Sequence, residues 1–71
     1  MENTRLATDT EREALEFLNE LRITSVTNMF GAGPLIEAEF GVTRQEAARL
    51  LNLWMANFNE EGNYETIINQ Q

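Results

Sequence analysis

The chain has 71 residues, 42% of them hydrophobic, and a formal net charge of −7 from twelve acidic and five basic side chains. It contains no cysteine, histidine or lysine, which excludes disulfides and thiolate metal sites and removes the commonest general base and the commonest transition-metal ligand. The length allows one domain, which buries only roughly 60% of the surface its unfolded chain exposes, and the negative charge opposes the phosphate backbone that supplies most non-specific DNA affinity.

Residues 1–8 are polar with one leucine and read as a flexible lead-in to a helical domain over 9–58. A first helix is expected to start near Thr10, where Thr10 and Glu13 have the spacing of a capping box and Asp9 and Glu11 suit the positive end of the helix dipole. Ala14, Phe17, Leu18 and Leu21 fall on one apolar stripe with Leu15 beside it, and Arg12 can pair with Glu16 at i,i+4. Glu13, Glu16 and Glu20 share the opposite face as an acidic ridge. A solvated surface is the plainer account of that ridge; a docking surface for a basic partner is the sharper one.

The helix should fade around Leu21 to Ile23, and Thr24-Ser25-Val26-Thr27-Asn28 reads as a connection. Met29 and Phe30 are large apolar residues in an irregular segment, expected to plug the core, with a hydrophobic recognition loop as the alternative. A short second helix over Pro34 to Glu39 should face Ile36 and Phe40 inward, with Leu35 beside them. Gly41 suits the left-handed residue that ends it, and Thr43 with Glu46 forms a capping box for the next helix. That third helix, about Arg44 to Phe58, carries a stripe of Ala47, Leu50, Leu51, Trp54 and Phe58, widened by Ala48 and Met55, with Leu53 on the polar half. The tail, 59–71, opens on a breaker-like run; Tyr64, Ile67 and Ile68 then have the spacing of a last helical turn folding back, of an exposed tail, or of a contact to another chain. The expected fold is all-α, a small three-helix bundle whose second and third helices form a helix-turn-helix corner.

Catalytic chemistry finds little support in these residues. Ser25, the only serine, has no base to activate it, and Glu37 and Glu39 face different ways on a short helix. No catalytic residue, metal ligand set or cofactor is expected. No apolar run approaches the ~20 residues of a membrane span, and the first residues carry no apolar segment of signal-peptide type, so a soluble, cytoplasmic protein is expected.

The segment IEAEFGVTRQEAARLL, through Phe40-Gly41-Val42-Thr43-Arg44 with Ile36 before it and Ala47 and Leu50 after it, resembles the helix-turn-helix of bacterial and phage regulators. The resemblance implies that the second helix of the pair enters the major groove, with Thr43, Arg44, Gln45 and Arg49 as the contacts. The segment departs from that pattern at Glu37, and Glu46 puts a negative charge on the reading face. A longer pattern, T-N-M-F-G-A over Thr27 to Ala32, E-F-G over Glu39 to Gly41, E-A at Glu46-Ala47 and W-M at Trp54-Met55, resembles a group of small uncharacterised phage proteins. It implies a phage origin and an infected bacterial cell as the location.

The sequence therefore favours a non-catalytic acidic protein that binds a protein partner, as a host-directed regulator or inhibitor or a nucleic-acid mimic, through Glu13, Glu16, Glu20, Met29 and Phe30. The alternative is a DNA-binding transcription regulator using the third helix. Leu53, Met55, Tyr64, Ile67 and Ile68 exceed what three short helices readily cover, and a homodimer through the third helix or the tail would bury them.

Overall fold

The structure, a computed structural model, describes residues 3–24 and 29–68, with the side chain at position 30 excluded. The elements run β1 (Thr4–Leu6), α1 (Asp9–Thr24), a 3-10 turn (Met29–Gly31), α2 (Gly33–Phe40), α3 (Arg44–Asn57) and β2 (Thr66–Ile68). Three helices match the expected helical domain. The fold is nevertheless mostly helical rather than all-α, because β1 and β2 pair antiparallel, with Thr4 opposite Ile68, Arg5 opposite Ile67 and Leu6 opposite Thr66. Thr4–Leu6, expected in a flexible lead-in, is thus a strand, and the Tyr64–Ile68 segment ends in a strand rather than a helical turn. Thr66, Ile67 and Ile68 are all β-branched and favour the pleated conformation once a partner strand is present. The expected connection at Ser25, Val26, Thr27 and Asn28 lies outside the described residues.

Local signals set the helix ends. Thr8 begins α1: its carbonyl accepts from Arg12 N–H at 2.9 Å, its hydroxyl accepts from Glu11 N–H at 3.1 Å, and its own N–H donates to Glu11 Oε1 at 2.9 Å. This is the reciprocal capping box expected at Thr10 and Glu13, formed instead on the neighbouring Thr/Glu pair. Arg12 bonds back to Asp9 at 3.6 Å rather than forward to Glu16. Pro34 lies in the first turn of α2, and Gly41 ends that helix at φ 64°, where its N–H donates to Glu37 O. An L residue with a Cβ is disfavoured there. Thr43 then caps α3 by accepting from Glu46 N–H at 3.1 Å.

The core is one cluster. Ala14, Leu15 and Leu18 of α1, Ile36 of α2 and Ala47, Leu50, Leu51, Leu53 and Trp54 of α3 are buried together with Ala32, Tyr64 and Ile67. Phe17 and Phe40 meet edge to face at 5.6 Å across α1 and α2. Leu53, read onto the polar half of its helix, is instead only 2% exposed, and Tyr64 and Ile67 are buried against the bundle, the folding-back arrangement among those left open, made by a strand in place of a helical turn. The C-terminal segment covers a second side of α3, so that helix has two buried faces instead of one. Leu35 and Phe58, both placed on inward stripes, are exposed.

Candidate functional site

Glu11 is the most enclosed charged group among the described residues. Its residue surface is 2% exposed, yet its carboxylate receives four hydrogen bonds. Arg5 donates through Nη1 to Oε1 at 2.7 Å and through Nη2 to Oε2 at 2.8 Å. Thr8 N–H adds a third, and Arg49 Nη1 reaches Oε2 at 2.8 Å. Arg49 also holds Glu46 through Nε at 2.8 Å and Nη2 at 2.6 Å. Two carboxylates and two guanidiniums therefore alternate, joining β1, the first turn of α1 and the first half of α3. The paired Arg5 fork, together with the Thr8 amide and Arg49, outweighs burial and holds the Glu11 carboxyl well below the usual carboxylate range. Arg49 hydrogen bonds lower Glu46 likewise. Hydrogen bonds from the same carboxylates raise both arginines, chiefly Glu46 for Arg49 and Glu11 for Arg5.

This cluster decides how the sequence-derived site residues are placed. Arg49, the second arginine of the expected DNA contacts, is engaged by Glu46 and Glu11. Thr43 has its hydroxyl turned into the helix cap. Arg44 and Gln45 are exposed at the start of α3. The four residues thus lie along one helix, but two of them are already committed to holding the fold.

The residues expected to meet a protein partner are distributed differently. Glu13, Glu16 and Glu20 are all exposed on α1. With the exposed Asp9 they recur at i, i+4, i+7 and i+11, which confines them to one narrow strip of the helix surface. Met29 is half-buried against the core, and the side chain of Phe30 lies outside the described residues. The structure does not gather Met29 and the glutamates onto one helix face.

A polar junction lies at the other end of α1. Asn19, 7% exposed, offers Oδ1 to Trp54 Nε1–H at 2.7 Å and to the Tyr64 hydroxyl, while its Nδ2 donates to Asn59 O at 2.9 Å. One amide thereby ties α1 to α3 and to the C-terminal segment. Beside it a shallow groove is lined by Asn19, Arg22, Ile23, Phe58 and Glu60. Arg22 stacks over the Phe58 ring at 4.7 Å, and Phe58 meets Trp54 edge to face at 5.4 Å.

Glu11, Arg5 and Asn19 were not singled out from the sequence. Asn19 had a signal: it stands four residues after Leu15, on the buried side of the helix, where a polar residue requires a partner. Glu11 was visible only as a first-turn acid, because its two arginines come from other elements. Among the described residues no group of three or more His, Cys, Asp or Glu could hold a metal ion, and no helix is long and apolar enough to cross a membrane. No protein-family description, curated protein or solved structure matches the chain.

Proposed function

We propose that this is a non-catalytic binding protein, phage-encoded and acting in the cytoplasm of the infected host, which engages a basic surface of a protein partner through the acidic strip of α1. The observation that carries this reading is the division of charge. Arg5 and Arg49 are drawn into the Glu11 and Glu46 cluster, whereas Glu13, Glu16 and Glu20 are exposed in register on one helix. Such a row presents regularly spaced negative charge, the arrangement by which an acidic protein occupies a site built for nucleic acid or a basic segment.

A DNA-binding regulator is the second reading. It draws support from the short connection Gly41–Thr43 between α2 and α3 and from the exposure of Arg44 and Gln45. In that reading the pair is a helix-turn-helix corner, and a homodimer would match a two-fold operator.

The two readings separate in a pull-down from host lysate with and without nuclease. The protein-partner reading expects a stoichiometric host protein that survives nuclease and is lost when Glu13, Glu16 and Glu20 are changed to lysine. Recovery of nucleic acid alone, abolished by nuclease and by Arg44→Ala with Gln45→Ala, would replace it with the regulator. Arg44 and Gln45 are the informative pair, since Arg49→Ala also removes a bond to Glu11 and so alters the fold itself.

A further inference from the structure

We propose that the outer edge of β1 is a docking site for an extended polypeptide segment of a partner protein, basic at one end, which adds to the sheet as a third strand. This rests on the protein-partner reading above and gives that partner a backbone conformation as well as a charge.

The phase of the ladder supplies the first argument. Ala7 N–H donates to Glu65 O at 2.8 Å, and these two residues continue the β1–β2 register. In an antiparallel pair, hydrogen-bonded and non-bonded positions alternate. Arg5 and Ile67 are therefore bonded to each other, and the N–H and C=O groups of Thr4, Leu6, Thr66 and Ile68 turn away from the ladder. The two edges are then treated differently. On β2, the Asn57 side chain takes both outward groups of Ile68, with Ile68 N–H donating to Oδ1 at 2.7 Å and Nδ2 donating to Ile68 O at 3.3 Å. On β1, Leu6 N–H meets no acceptor among the described residues, and Leu6 O receives only the neighbouring Arg5 Nη1 at 3.2 Å. An uncovered edge of this kind is a ready template for another strand.

Side chains state the chemistry of the occupant. Leu6 is 72% exposed and Ile68 39% exposed. They lie on the same face of the two-stranded sheet, because Thr4, Leu6, Thr66 and Ile68 alternate with the inward Arg5 and Ile67. A partner strand should therefore place apolar or β-branched residues on that face. Its basic residues belong at the end that lies beside the Leu6–Thr66 end of the sheet. A cation at its centre on the other face would lie beside Arg5, whereas the exposed Asp9 and Glu65 lie just past the C-terminal end of β1 and the start of β2. A second copy of this chain fits less well, since it would bring another −7 to the contact.

The test is an NMR titration of the 15N-labelled protein with a synthetic peptide that has a Val-Thr-Val-Thr-Val centre and a lysine pair at each end, compared with the same peptide ending in glutamates. The lysine peptide is expected to bind, to protect the Leu6 amide from exchange, and to give contacts between its own amides and those of Thr4 and Leu6. Leu6→Pro removes an N–H that the β1–β2 ladder does not use, and should weaken binding about tenfold; Leu6→Val retains the N–H and should bind as the parent does. The direct amide contacts decide the matter even if Leu6→Pro proves unstable. Absence of binding, equal binding of the glutamate peptide, or self-association at Thr4 and Leu6 overturns the inference. Binding with shifts confined to Glu13, Glu16 and Glu20 also overturns it, while leaving the acidic strip and the protein-partner reading in place.

Discussion

Arg49 Nη1 lies 2.8 Å from Glu11 Oε2, joining α3 to the first turn of α1 across 38 positions of sequence. The contact is formed by a nearly fully buried carboxylate and a half-exposed guanidinium. Removing the charge from Glu11 leaves donors from two arginines facing a neutral acceptor that is itself almost fully buried. Glu11→Gln is expected to destabilise the fold by about 2 kcal/mol, read as a shift of the urea midpoint with unchanged slope.

The same carboxylate makes stability depend on acidity. Folding holds Glu11 below its ordinary value of 4.5, mainly through the Arg5 hydrogen bonds, so in acid the unfolded chain binds a proton that the folded chain resists. Its contribution is complete above the ordinary carboxylate range and is lost progressively as pH falls through and below about 4.5. Glu46 shifts in the same direction and adds to the slope. Denaturation midpoints at successive pH values between neutrality and strong acid should fall, and Glu11→Gln should flatten that fall.

Asn19 accepts from both Trp54 and Tyr64; Trp54 Nε1–H has no other acceptor among the described residues, and the Tyr64 hydroxyl has only a longer contact to Asn59 O at 3.4 Å. Asn19→Leu should cost about 2 kcal/mol, because the buried Trp54 donor loses its acceptor and the Tyr64 hydroxyl is left with only its longer contact to Asn59 O. Asn19→Asp keeps an acceptor for both but gives up the Nδ2 bond to Asn59 O, and should retain more stability than the leucine variant. Trp54 fluorescence during urea unfolding reports both effects.

The two candidate caps of α1 can be told apart directly. Thr8→Ala removes the hydroxyl that accepts from Glu11 N–H and should cost about 1 kcal/mol. Thr10→Ala, on an exposed position inside the helix, should be neutral or slightly stabilising by helix propensity. Thermal melts of the two single variants provide the comparison.

Gly41 at φ 64° makes α2 stop where it does. Gly41→Ala meets no neighbouring atom within 4 Å, so its expected penalty of about 1 kcal/mol is purely conformational. A melting temperature unchanged by that substitution would show that the turn relaxes to another conformation.

These residues also mark what could be read from the chain. The ends of α2 and α3 were legible because Pro34, Gly41 and Thr43 act on their immediate neighbours. The exposure of Glu13, Glu16 and Glu20 followed from helical period alone. Leu53 is misplaced by the helical period, and Tyr64 is left between three arrangements, because their burial depends on the β1–β2 pairing, for which no local pattern speaks. Arg49 looked like a free contact for the same reason: Glu46 is near it in sequence, but Glu11 is not. In each case the missing information was a long-range contact: the β1–β2 pairing for Leu53 and Tyr64, and the meeting of α3 with the first turn of α1 for Arg49.

The pairing of β1 with β2 also bears on the order in which the molecule can be completed. A ribosome releases Thr4–Leu6 before the three helices and Thr66–Ile68 only after them, so Leu53 and the Asn19 junction wait uncovered while the nascent chain grows. Arg5 can reach Glu11 as soon as α1 begins, which fixes the first strand beside its helix well before its partner exists. The residues of β2 then act as a latch, and a chain stalled short of them would hold its helices with an unfinished, sticky flank, a natural target for chaperones and proteases.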